Sequence, residues 1–168
     1  MRNATLSPKS LEVQLGDLLR QREATVCTAE SCTGGLIASR LTDISGSSAY
    51  MLGGIVAYAN PVKQQLLGVR QGTLMAYGAV SEPVAAEMAL GARERFSADF
   101  ALSVTGIAGP GGGTPAKPVG LTYIGLAYGD GAVDVQHVTW AGDRMANKRH
   151  SADAALQMLI NWLRTNPL

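Results

Sequence analysis

Short apolar, β-branched runs alternate along this chain with segments whose apolar residues recur at helical spacing, and that alternation restricts the fold more than any other feature. Ala24–Ala29, Met51–Tyr58 and Phe100–Val104 read as buried strands. Leu121–Tyr128 and Val133–Trp140 read as two more, joined by the hairpin signal Gly129-Asp130-Gly131. The intervening pieces predict helices. One covers Pro8–Arg22 with Ser7 as its cap, and one runs from about Thr33 to Leu41. Another opens at Asn60-Pro61, holds Lys63 and ends near Gly68; a fourth opens at Ser81-Glu82-Pro83. The last runs from about Met145 to Leu163, with Ala152, Ala155, Leu156, Leu159, Ile160 and Leu163 on its buried face. Strands alternating with helices, plus one hairpin, imply a layered α/β fold with a mixed sheet.

The 168 residues suit one domain, and no repeat or linker divides them. A composition that is 46% hydrophobic argues against disorder. With 14 basic and 13 acidic residues the chain has no electrostatic case for a nucleic-acid or membrane-surface protein, although one or two placed cations suffice for a small anion. The two cysteines, Cys27 and Cys32, make no disulfide framework and no zinc pattern. No His/Asp/Glu cluster has ligand spacing, so no metal or cofactor is expected. The N-terminus has no apolar signal region, and no run reaches the ~18 apolar residues of a membrane span. A cytoplasmic protein is expected.

Ligands of such sheets sit beyond the carboxyl ends of the strands. Three features end there: Ser31 in Thr28-Ala-Glu-Ser-Cys-Thr-Gly-Gly35, the Tyr58–Lys63 segment, and the long Gly/Pro-rich loop that starts at Thr105. Ser31 either caps the following helix or presents its hydroxyl to a cleft, where the N–H groups of Cys32, Thr33, Gly34 and Gly35 bind phosphate or an oxyanion. A nucleophilic serine needs a base. His137 and His150 belong to no motif, which leaves lysine, kept neutral by burial. Lys63 is followed by apolar Leu66 and Leu67, a setting for a desolvated amine or for an ordinary surface lysine. The phenol of Tyr58 orients that lysine or relays a proton, or is simply an aromatic at the sheet edge. Cys32 is a rival nucleophile or packing. Glu30 orients the lysine, accepts from a sugar, or serves as a first-turn acid for the helix dipole. Arg144, in Gly142-Asp143-Arg144, clamps an anion or is a solvated helix-start residue.

Six motifs appear in order: TAESCTGG at 28–35, GGIVAYANPVKQQLLGV at 53–69, GAVSEPVA at 78–85, SVTGIAGPGGG at 103–113, KPVG at 117–120 and GDR at 142–144. The chain from about Leu11 to Leu163 resembles the CinA C-terminal domain family, whose stand-alone bacterial form is a nicotinamide-nucleotide amidase. The resemblance implies a three-layer α/β/α fold with a mixed, mostly parallel sheet of about five strands. It implies hydrolysis of nicotinamide mononucleotide to nicotinic acid mononucleotide and ammonia by a metal-free serine–lysine mechanism, in NAD recycling. Carried over by motif, Ser31 is the nucleophile, Lys63 the base and Tyr58 its partner. Glu30, Cys32, Thr33, Gly34, Gly35, Asn60, Thr105, Gly106 and Arg144 would surround the substrate. A homodimer or larger homo-oligomer is expected, with neither nucleic acid nor membrane as partner. The alternative is a non-catalytic nucleotide-binding module of the same fold. After GDR the sequence departs from the family pattern, with Asn147 where an apolar residue is usual.

Overall fold

A computed structural model describes residues 9–166. Its elements run α1 (Leu11–Gln21), β1 (Val26–Glu30), α2 (Leu36–Thr42), β2 (Met51–Val56), α3 (Asn60–Leu67), α4 (Gln71–Tyr77), α5 (Glu82–Phe96), β3 (Phe100–Gly106), β4 (Leu121–Tyr128), β5 (Ala132–Thr139) and α6 (Arg144–Thr165). The five strands form one sheet in the order β2-β1-β3-β4-β5. β1 pairs in parallel with β2 and β3, and β4 pairs antiparallel with both β3 and β5. The predicted Ser7 cap and Pro8 lie outside the described residues; within them α1 begins at Leu11, after Ser10.

Both faces of the central strands are covered, which is why β1 and β3 are buried almost without a break rather than at alternate residues. On one face α1, α2 and α6 bury Leu15, Leu19, Ile37, Leu41, Leu156, Leu159 and Ile160 against Val26, Leu102, Val104, Ile124 and Leu126. On the other, α5 lays Val84, Met88, Ala89 and Ala92 over Cys27, Ala29, Ala101 and Ala127, with Leu67 and Val69 beside them. Arg40 of α2 pairs with Glu12 of α1 at 2.8 Å and Asp153 of α6 at 2.7 Å, joining the three helices of its layer.

Two departures from the sequence reading have physical causes. α4 is absent from the periodicity because it has seven residues, includes Gly72, and buries only Thr73. The helix expected from Thr33 begins instead at Leu36, because Gly34 and Gly35 take the left-handed backbone (φ +65° and +93°) and turn the chain before it.

Candidate active site

β1 decides where the reactive groups point. Successive side chains of a strand alternate between faces. Val26 packs in the α1/α2/α6 layer and Cys27 and Ala29 in the α5 layer. By the same parity Glu30 faces α2 and Ser31 faces α3. The carboxylate of Glu30 is fully buried and accepts from the N–H groups of Gly35 (3.0 Å), Ile37 (3.1 Å) and Ala38 (2.9 Å). It therefore satisfies the N-terminus of α2 from six residues before the helix, rather than from within its first turn, and it neither bonds Lys63 nor lines the cleft. The Ser31 side chain makes no capping bond to α2, so its hydroxyl is left to the cleft.

α3 brings Lys63 to Ser31. The helix starts at Asn60-Pro61, where the missing proline N–H needs no partner. Lys63 stands one turn inside it, 1% exposed. Its Nζ lies 3.1 Å from Ser31 Oγ and donates to the main-chain oxygens of Ala57 (2.8 Å) and Tyr58 (3.1 Å). Burial pushes the Lys63 ammonium below the ordinary lysine value, and no carboxylate among the described residues pairs with it. The lysine is thus oriented by the carbonyl of Tyr58 rather than by its phenol. That phenol, on a side chain 62% exposed, accepts a 3.2 Å bond from Arg144 Nη2. Arg144 Nη1 donates to the Gly109 carbonyl at 2.7 Å, so the arginine spans the mouth of the site.

The cleft so formed holds about 280 Å³. Ser31, Cys32, Tyr58, Asn60, Lys63 and Arg144 line it on one side; Thr105 to Gly109, Gly111 and Gly112 of the glycine-rich loop, with Ala79 and Val80, complete it. Thr105 is buried and spends its hydroxyl on the Ala79 carbonyl at 2.8 Å. Thr33, Gly34 and Gly35 do not line the cleft: Gly34 N–H donates to the Ser31 carbonyl at 3.0 Å, and Gly35 N–H is held by Glu30. Of the four turn amides, those of Cys32 and Thr33 take no acceptor among the described residues. The Cys32 thiol is 6% exposed and its pKa is pushed up to about 11 by burial, which leaves it protonated at neutral pH and a poor nucleophile. His137 and His150 lie elsewhere, packed on Tyr123 and Trp140 at 5.4 and 5.3 Å between ring centroids. Among the described residues no three His, Cys, Asp or Glu side chains could hold a metal ion, and no helix is long and apolar enough to cross a membrane.

Sequence reasoning singled out Asn147 only as a departure from the family pattern and gave it no role. It is 1% exposed, donates to the Ala108 carbonyl at 3.1 Å and accepts from Gly142 N–H at 3.0 Å. A polar residue where the family pattern is apolar was the available signal. Sequence reasoning missed the wall at Ala79–Val80, two small apolar residues that carry no chemical signature.

The family model described as the CinA C-terminal domain matches residues 8–163. A CinA-like protein of Chlorobaculum tepidum is 53% identical over 158 residues, covering 92% of this chain; the chain spans only 37% of that longer protein. The Escherichia coli protein named nicotinamide-nucleotide amidohydrolase PncC is 49% identical over 149 residues, covering 89% of this chain and 90% of that one. The crystal structure of a competence/damage inducible protein from Agrobacterium tumefaciens superposes with a TM-score of 0.87 at 42% identity, covering 95% of this chain and 99% of that one.

Proposed function

The chain belongs to the CinA C-terminal domain family, and on that premise we propose that it is an amidohydrolase that converts nicotinamide mononucleotide to nicotinic acid mononucleotide and ammonia. One observation carries the reading: a buried lysine amine, with no carboxylate partner among the described residues, lies 3.1 Å from a serine hydroxyl at the floor of a cleft. A neutral amine has two N–H donors and one lone pair. The carbonyls of Ala57 and Tyr58 take the donors, so the lone pair is directed at Ser31.

The steps follow from that arrangement. Ser31 Oγ attacks the carboxamide carbon as its proton passes to Lys63 Nζ. The free N–H group of Cys32, which lines the cleft, stabilises the oxyanion. The C–N bond breaks, the Lys63 ammonium returns the proton to the departing nitrogen, and ammonia leaves an ester on Ser31. Lys63 then draws a proton from water, which attacks the ester and frees the acid and the serine. The guanidinium of Arg144 supplies the cation for the phosphate, with Tyr58 holding it in place; Thr105, Gly106 and Asn60 complete the substrate's surroundings. On this reading the enzyme recycles the mononucleotide in the cytoplasm. It works as a homodimer or larger homo-oligomer, supported by edge strand β2, which exposes Leu52 and Val56 and carries no charged residue from Met51 to Val56.

Ammonia release from nicotinamide mononucleotide is the deciding assay. The wild type is expected to turn over and Ser31→Ala to lose on the order of 10³-fold or more in kcat. A folded wild type that binds the nucleotide without releasing ammonia would sink the proposal in favour of a binding module.

A further inference from the structure

The glycine-rich loop between β3 and β4 forms a wall of the cleft, yet few of its own side chains can fix its position. Its first residues are held from α6, through Asn147 to the Ala108 carbonyl and Arg144 to the Gly109 carbonyl. Its base is closed by Ile107 N–H to Leu121 O at 2.9 Å and Gly120 N–H to Ile107 O at 2.7 Å. Between these points, residues 110–116 are exposed. At the end of that span Thr114 and Lys117 close a tight turn with reciprocal main-chain bonds of 2.8 and 3.1 Å.

From that turn Lys117 reaches across to the other wall. Its ammonium donates to the carbonyl of Tyr77 and, at 2.7 Å, to that of Val80. Tyr77 is the last residue of α4, where unpaired carbonyls carry the negative end of the helix dipole. No carboxylate among the described residues pairs with Lys117. Gly78, at φ +74°, leaves the space the ammonium needs, since a Cβ there would stand 3.1 Å from Nζ. From the cleft side, Thr105 holds the same turn through the Ala79 carbonyl. The Ala79–Val80 wall is thus fixed between Thr105 and Lys117, and Lys117 ties it to the glycine-rich wall opposite. Lys117 does not line the cleft and touches neither Ser31 nor Lys63.

We infer that Lys117 is a positioning residue, a latch that holds the glycine-rich loop against the α4–α5 turn so that the two walls meet the substrate already ordered. Without it the loop samples more positions, and binding must order it. The link to catalysis rests on the amidase reading; the latch itself does not. Two readouts keep them apart. In Lys117→Met, amide hydrogen exchange over residues 108–116 is expected to rise by about tenfold or more while α2 and α3 stay protected. With nicotinamide mononucleotide, KM is expected to rise about tenfold with kcat within about threefold of wild type. Lys117→Arg, which keeps the positive charge and several N–H donors, is expected to restore both, and Lys117→Gln serves if the methionine variant is globally unstable. Unchanged loop exchange overturns the latch whatever the kinetics. Faster exchange with unchanged KM, or kcat and KM lost together without rescue by arginine, overturns the positioning role. A wild type without turnover overturns the amidase reading and leaves exchange to decide the latch.

Discussion

Lys63 works as a base only because it is denied water. Burial favours the neutral amine, so the proton is lost at lower pH than from a solvated lysine. The active form is the deprotonated one; kcat/KM is therefore expected to fall as pH drops through the lowered value and to plateau above it, with a midpoint below the ordinary ~10.4. The same shift acts on stability with a definite sign. Between the folded and unfolded values the unfolded chain binds the extra proton, so the Lys63 contribution to stability increases with pH across that window and is least favourable below it. Lys63→Met is expected to abolish the pH-dependent limb along with activity, read from initial rates between pH 6 and 10. Cys32→Ser, in contrast, is expected to keep most of the wild-type rate, because a thiol whose pKa lies at about 11 is not the nucleophile; loss of ammonia release in that variant would revive the cysteine reading. At this scale the sequence reading named Ser31, Tyr58, Lys63, Thr105 and Arg144, which line one cleft, because each lies at or just past the end of a strand. It left Glu30 open among three roles. The parity of β1 would have decided the question, since Glu30 and Ser31 are neighbours and must face opposite layers.

α2 owes its start to a residue that precedes it by six positions. A helix of seven residues is marginal on its own, and its first turn here follows two left-handed glycines. The Glu30 carboxylate supplies the missing acceptors, and its position one residue before Ser31 makes the same contact fix the turn that carries the nucleophile. Glu30→Ala strands the buried amide of Ile37 and the half-buried amides of Gly35 and Ala38, and is expected to lower stability by about 3 kcal/mol in urea denaturation, with kcat falling as well. A stability change below about 0.5 kcal/mol would show that water replaces the carboxylate. Most elements were legible from periodicity and punctuation, and the hairpin of β4 and β5 was legible from Gly129-Asp130-Gly131. Two things were not. α4 has no apolar face long enough to register. The exact onset of α2 was the other: Gly34 and Gly35 read as a tight turn at the start of a helix from about Thr33, and their left-handed backbone moves that start to Leu36.

The site is made by two layers meeting, so its geometry depends on a helix crossing away from the chemistry. Ser31 rides on the sheet; Lys63 rides on α3, which rests on α5 where Gly91 passes the carbonyl of Leu67. A Cβ at Gly91 would overlap that backbone oxygen, which has no flexible side-chain end to swing aside. Alanine at position 91 gains helix propensity of about 1 kcal/mol and loses more than that, because α3 must move away from α5. The lysine lies one turn before Leu67 on the same rigid helix, so the shift lengthens the 3.1 Å contact with Ser31. Gly91→Ala is therefore expected to fold, to lose about 2 kcal/mol of stability, and to lose on the order of 10²-fold in kcat, since a displacement of about 1 Å at reacting groups has that effect. KM is expected to change little, because the cleft walls that Lys117 joins are untouched; this split is the reverse of that expected for the Lys117 variants. Gly72→Ala in α4 is the control. A Cβ there meets open space, so the variant should gain about 0.5–1 kcal/mol and keep full activity. Wild-type kcat in Gly91→Ala, alongside a loss of stability, would mean that Lys63 finds Ser31 by its own flexible stem rather than by the seating of α3. The two-layer construction of the active site would then be incidental to its chemistry.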